Sequence, residues 1–182
     1  MTFHEIKMRG RASIPGPAST AVPDGTRVYA IGDIHGRADL LDDLARQIEN
    51  DVKSAPESIT AVFLGDYIDR GLQSAAVVDR LCRGAFPIPF VALRGNHEQT
   101  MLDAFDSDSV FEPWRQFGGL ETLVSYRVDV SQLMRGQGYQ AARLQMAEKT
   151  PAAHREFLNS MPLTHELGDY FFCHAAFGPA FR

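Results

Sequence analysis

The chain has 182 residues, enough for one domain with a substantial core, and 45% of them are hydrophobic. Its formal net charge of -5, from 18 basic and 23 acidic side chains, argues against a general nucleic-acid or anionic-membrane binder. No apolar run reaches membrane-spanning length, and MTFHEIKMRGR lacks the apolar core of a secretory signal. Cys82 and Cys173 lie far apart and form neither a disulfide framework nor a zinc-finger pattern. Both read as reduced core thiols of a cytoplasmic protein.

Residues 1–26 are weakly patterned, and Pro15, Pro17 and Pro23 with Gly16 and Gly25 predict an irregular lead-in. Arg27–Ile31 then reads as a buried strand, closed by Gly32 and followed by Asp33 and His35. Leu40, Leu41, Leu44 and Ile48 recur at helical spacing, which predicts an amphipathic helix from Asp39 to Ile48. A second apolar run, TAVFLG, leads to Asp66, Asp69 and Arg70. Ser74–Arg83 is expected to be helical, with Ala75, Val78 and Leu81 inward and Gly84 as the stop. A third run, PFVAL, leads to Arg94, Gly95, Asn96, His97 and Glu98. Strand, helix, strand, helix, strand predicts a parallel α/β arrangement.

Residues 99–161 change character and are expected to form a helical insertion. Helices are predicted from QTMLDAFD, from Leu120–Tyr126, from Gln137–Glu148, and after Thr150-Pro151, with Thr150 as N-cap. Trp114 and the Phe117/Gly118/Gly119 group read as packing around this insertion, with substrate contact as the alternative. His4, His154 and His165 read as surface or packing residues. LTHEL and YFFCH, joined at Gly168-Asp169, predict two strands with a tight turn, the second ending in His174.

The strand ends therefore deliver Asp33, His35, Asp66, Asn96 and His174 to the edge where open α/β sheets hold ligands. Two carboxylates, two imidazoles and an amide oxygen suit divalent ions of borderline hardness such as Mn, Fe or Zn. So many ligands at adjacent strand ends suggest a pair of ions, with Asp66 placed to bridge them. Such a pair ionises water and clamps the oxygens of a transferring phosphoryl group. Arg70 and Arg94 could grip phosphate oxygens. His97 could protonate the leaving oxygen if Asp69 orients and charges its ring. Arg94 and Glu98 are equally open to reading as a structural ion pair.

GDIHG (32–36), GDYIDRG (65–71) and RGNHE (94–98) together resemble the signature of the calcineurin-like metallophosphoesterases. The chain is most similar to the phosphoprotein phosphatase branch and its small bacterial serine/threonine and phage-type relatives. GNHEQTML and WRQFGGLETL also resemble the bacterial subgroup. The resemblance runs from about Gly25 to His174.

It implies a β-sandwich flanked by helices, within a domain covering 27–182. Asp33, His35 and Asp66 would hold one metal, and Asp66, Asn96 and His174 the other. Arg70, Arg94 and Asn96 would lie near phosphate, with His97 and Asp69 as an acid dyad. Manganese or iron would be the usual ion, and metal-bound hydroxide the nucleophile. The expected activity is dephosphorylation of phosphoserine or phosphothreonine, with hydrolysis of dinucleoside polyphosphates as the alternative.

The chain departs from the family at His174-Ala175-Ala176, where His-Ala-Gly is usual. The family then continues through further strands that carry another phosphate arginine and another histidine ligand. The resemblance thus implies a shortened protein with an incomplete second sheet, a partly built second metal site, and weak activity as a third possibility.

Overall fold

The computed structural model describes residues 21–54 and 58–175, so the expectations for residues 1–20, including His4, lie outside the described residues. Strands β1 (Thr26–Ile31), β2 (Ser58–Phe63) and β3 (Phe90–Ala92) form a parallel sheet in the order β1-β2-β3. Tyr29 pairs with Ala61 and Phe63 with Ala92, so the three strands end almost level. That common end sets the loops after each strand side by side. The connections are α1 (Ala38–Asp51) and α2 (Ser74–Cys82), as the alternation predicted.

Burial follows the sequence pattern with informative exceptions. In α1, Leu41, Ala45 and Ile48 are buried. Leu40 is not: it is 51% exposed, because the 3.6-residue period turns it off the stripe that Leu41 leads. Ala61, Val62 and Phe63 are wholly buried. Phe63 meets the edges of Phe86 and Phe90 at centroid distances of 5.0 and 5.4 Å. Gly84 ends α2 as expected, with φ +65° and its N–H donating to the Leu81 carbonyl at 2.9 Å.

Between β3 and the next strand every regular element is helical: α3 (Asn96–Ala104), α4 (Asp108–Trp114), α5 (Leu120–Ser125), α6 (Tyr139–Lys149) and α7 (Ala152–Ser160), with a kinked turn at Arg115–Gly119 and a short 3₁₀ turn at Leu133–Arg135. The N-cap of α7 is Pro151, not Thr150. Thr150 instead closes α6, and its buried hydroxyl has no partner. His154 is a packing residue as expected, but a buried one, hydrogen-bonded to the Tyr126 hydroxyl at 3.0 Å.

Strands β4 (Thr164–Leu167) and β5 (Tyr170–Cys173) form an antiparallel pair turned at Gly168-Asp169. They make a second, two-stranded sheet rather than a continuation of the first. Cys82 and Cys173 are free thiols, yet each is half-buried rather than in the core. Among the described residues, no helix is long and apolar enough to cross a membrane.

Candidate functional site

The loops that follow β1, β2 and β3 are tied to one another before any side chain is considered. Ile34 and His35 both donate their N–H to the Asp66 carbonyl at 2.9 Å, and Gly36 donates to the Tyr67 carbonyl at 2.8 Å. Glu98 ties the second loop to the third. Its buried carboxylate accepts the N–H of Asp66 and Gly95 at 2.9 Å, Tyr67 at 2.7 Å and Ile68 at 3.3 Å. Burial raises the Glu98 pKa, while the backbone donors oppose that shift. So Glu98 serves as a crosslink between loops, and its partners are backbone groups rather than Arg94.

This crowding constrains the backbone. A Cβ on Gly95 would stand 2.2 Å from Asp66 Oδ1, which explains why glycine must precede Asn96. His35, Asp66, Asp69 and Arg70 all adopt positive φ, between 45° and 71°. Only one other non-glycine residue, Arg127, does so among the described residues. Such conformations are costly and persist where surrounding bonds over-determine them.

The side chains held this way converge. Asp66 is 4% exposed and its two oxygens face different histidines. Oδ1 lies 3.3 Å from His174 Nε2, and Oδ2 lies 3.8 Å from His35 Nε2. Asp33 Oδ2 is 3.5 Å from the same His35 nitrogen, and Asn96 Oδ1 is 2.9 Å from His174 Nε2. Both histidines place Nδ1 against a backbone carbonyl, Ile68 for His35 at 2.8 Å and Leu64 for His174 at 2.9 Å. A carbonyl can only accept, so each Nδ1 is assigned the proton and each Nε2 presents a lone pair. The His174 lone pair faces the electron-rich Asp66 Oδ1 and Asn96 Oδ1, whereas the His35 lone pair accepts from the Arg70 guanidinium at 2.9 Å. A divalent cation would accept these lone pairs together with the carboxylate and amide oxygens, and carbonyl-anchored imidazoles are the usual support for metal ligands. The donor set thus fits divalent ions, which Asp33, His35, Asp66, Asn96 and His174 could hold. Asp66 belongs to both groups of potential ligands, one with Asp33 and His174 and one with His35 and His97.

His97 sits beside this cluster. Its Nδ1 donates to Asp69 Oδ2 at 2.6 Å. That bond raises the His97 pKa, and partial burial opposes it. Arg70 is exposed, and its fork reaches His35 Nε2 at 2.9 Å and His97 Nε2 at 3.2 Å. Arg70, Asn96 and His97 open onto a cavity of about 1110 Å³, whose far wall is α4 and the turn after it, with Phe117 72% exposed.

Arg94 is not brought into this group. Its guanidinium donates to Gln99 Oε1 at 2.8 Å and to the Asn159 and Met161 carbonyls. The end of α7 leaves carbonyls without helical partners, and the arginine takes them. Sequence reasoning also passed over the surroundings of Asp69. Trp114 Nε1 donates to its Oδ2 at 2.8 Å, and Thr122 Oγ1 to its Oδ1 at 2.6 Å. The only prior signal was the WRQFGGLETL stretch itself, which by residue type reads as packing.

The chain is similar to several known proteins. Serine/threonine-protein phosphatase PP1-1 of Saccharomyces cerevisiae is 35% identical over 86 residues, covering 46% of this chain and 26% of that protein. Serine/threonine-protein phosphatase PP1-delta of Caenorhabditis elegans is 38% identical over 76 residues, covering 39% and 22%. The crystal structure of a candidate diadenosine tetraphosphatase superimposes with a TM-score of 0.53 at 22% identity, over 90% of this chain and 56% of that one. The match thus spans about a quarter of each of the two curated relatives. Residues 26–177 match the family described as calcineurin-like phosphoesterase, and the chain belongs to that family.

Proposed function

We propose that the chain is a metal-dependent phosphoric monoester hydrolase acting on phosphoserine and phosphothreonine. The observation that carries this reading is the convergence of Asp33, His35, Asn96 and His174 around the buried Asp66, with one of its carboxylate oxygens toward His174 and the other toward His35. Asp33, His35 and Asp66 would hold one ion, and Asp66, Asn96 and His174 a second. When bound, divalent ions supply Lewis acidity there, favouring ionised water and screening phosphate charge. That the yeast and nematode relatives are serine/threonine-protein phosphatases supports the substrate class.

The chain's own residues account for the rest. Arg70, exposed at the cavity mouth, would leave the two imidazoles and present its fork to the phosphate oxygens. Asn96 lines the same cavity and offers an amide donor beside them. His97, whose protonated form Asp69 favours, would give its Nε2 proton to the leaving oxygen as the phosphorus–oxygen bond breaks. The bond's electron pair goes to that oxygen, which departs as the serine or threonine hydroxyl. Water supplies the new phosphate oxygen and the proton that recharges His97. Arg94 supports the site from behind, bracing the loop after β3 against α7.

A second reading, hydrolysis of dinucleoside polyphosphates, is supported by the exposed Phe117 on the cavity wall, a flat apolar surface on which a base could stack. Incubating the full chain and Mn²⁺ with a phosphoserine peptide and with a dinucleoside tetraphosphate separates the two. The proposal expects phosphate release from the peptide. Cleavage of the nucleotide alone would replace it with the second reading, and cleavage of neither would refute both.

A further inference from the structure

The WRQFGGLETL stretch does more than fill the insertion. Asp69 is wholly buried, and a buried carboxylate is tolerated only when its oxygens are satisfied. Oδ2 accepts from His97 Nδ1 at 2.6 Å and from Trp114 Nε1 at 2.8 Å. Oδ1 accepts from Thr122 Oγ1 at 2.6 Å, and the same hydroxyl accepts the Asp69 N–H at 2.9 Å. Thr122 is itself wholly buried and Trp114 is 2% exposed. Between these two donors, the kinked turn lies directly on the loop that carries Asp69. The Gly118 carbonyl accepts the Arg70 N–H at 3.0 Å. Gly118 has φ +108°, and a Cβ there would stand 2.8 Å from Arg70 N and 3.2 Å from Asp69 Cβ.

We propose that Thr122 and Trp114 are positioning residues for His97, acting through the Asp69 carboxylate. The three donors fix the plane of the carboxylate, and that plane fixes the direction of the His97 ring. Removing the Thr122 hydroxyl leaves Oδ1 without its side-chain donor, so the carboxylate can rotate toward another donor and turn away from His97. Trp114 also packs against Phe111 in the core, so its replacement mixes packing with positioning. Thr122→Val exchanges the hydroxyl for a methyl at nearly constant volume, which removes the donor to Oδ1 while the Asp69 N–H keeps Ser74 Oγ as an acceptor at 3.1 Å, and Thr122→Ser restores the hydroxyl.

The inference rests on the proton-donor role proposed above, and two readouts keep the two apart. The first needs no turnover. In the ¹⁵N-histidine-labelled full chain with Zn²⁺, the His97 Nδ1 proton should give a low-field signal. Thr122→Val is expected to shift or lose it, and Thr122→Ser to retain it. The second compares aryl phosphates of good and poor leaving group. A misaimed proton donor matters most when the leaving oxygen is basic. Thr122→Val should therefore slow the poor leaving group by about tenfold or more while barely affecting the good one, since positioned acids contribute ~10²–10⁴-fold. An unchanged His97 signal, or equal slowing across the ester series, would overturn the inference. If the parent chain hydrolyses no ester, the functional reading fails and the His97 signal alone decides the positioning claim.

Discussion

Replacing Glu98 with Gln tests whether one buried carboxylate holds the site's loops together. The side chain keeps its size, but one of its two oxygens becomes an NH₂ group. If the remaining oxygen stays with Asp66 and Gly95, the N–H groups of Tyr67 and Ile68, now at 2.7 and 3.3 Å from oxygen, lose their acceptor. An unsatisfied buried donor costs about 1–3 kcal/mol, and the long Ile68 bond belongs at the low end. Removing the charge returns part of this, because burial already disfavours the ionised form of Glu98. The net loss should be about 2 kcal/mol, or roughly 4–8 °C in melting temperature for a domain of this size. Glu98→Ala abandons all four donors and should cost about twice as much. Thermal unfolding followed by circular dichroism measures both. A Gln variant that melts at or above the parent temperature would refute the crosslink, since its charge would then be a burden and its bonds redundant.

Gly95→Ala should weaken metal uptake measured by elemental analysis, because its Cβ would fall 2.2 Å from Asp66 Oδ1 and push the carboxylate aside. Phe63→Ala should lower stability by about 3–5 kcal/mol in urea unfolding, since it empties the centre of the sheet's aromatic cluster. Asp39, hydrogen-bonded by Arg37, has its pKa pulled from 3.8 to about 2. A lowered carboxylate pKa means the contact stabilises the fold above the ordinary value and is lost as pH falls toward 2. An NMR titration should find the Asp39 midpoint near 2, and Arg37→Ala should return it to the usual range.

The sheet and its ligand-bearing edge were legible because apolar runs, closing glycines and polar triplets fall in the same order three times. Strand alternation and chain order brought Asp33, Asp66 and Asn96 to one edge. His174 was harder: it arrives from a separate antiparallel pair, and only its place after an apolar run marked it. Other features were hidden because they depend on contacts distant in sequence. Glu98 and Arg94 have complementary charges four residues apart, a spacing that suggests a pair. In the fold, backbone donors claim one and helix-end carbonyls the other. Trp114 and Thr122 are both buried, as packing residues should be, yet each spends its one donor on Asp69, 45 and 53 residues away. Residue type reported the burial of Trp114 but not the exposure of Phe117, which stands 72% exposed on the cavity wall. It does not report where a buried side chain aims its single hydrogen bond.

The most direct test of the whole account is anomalous diffraction from crystals of the full chain soaked in Mn²⁺. The account predicts two manganese peaks flanking the Asp66 carboxylate, one beside Asp33 and His35 and the other beside Asn96 and His174. Manganese that binds elsewhere, or none near Asp66, would contradict it.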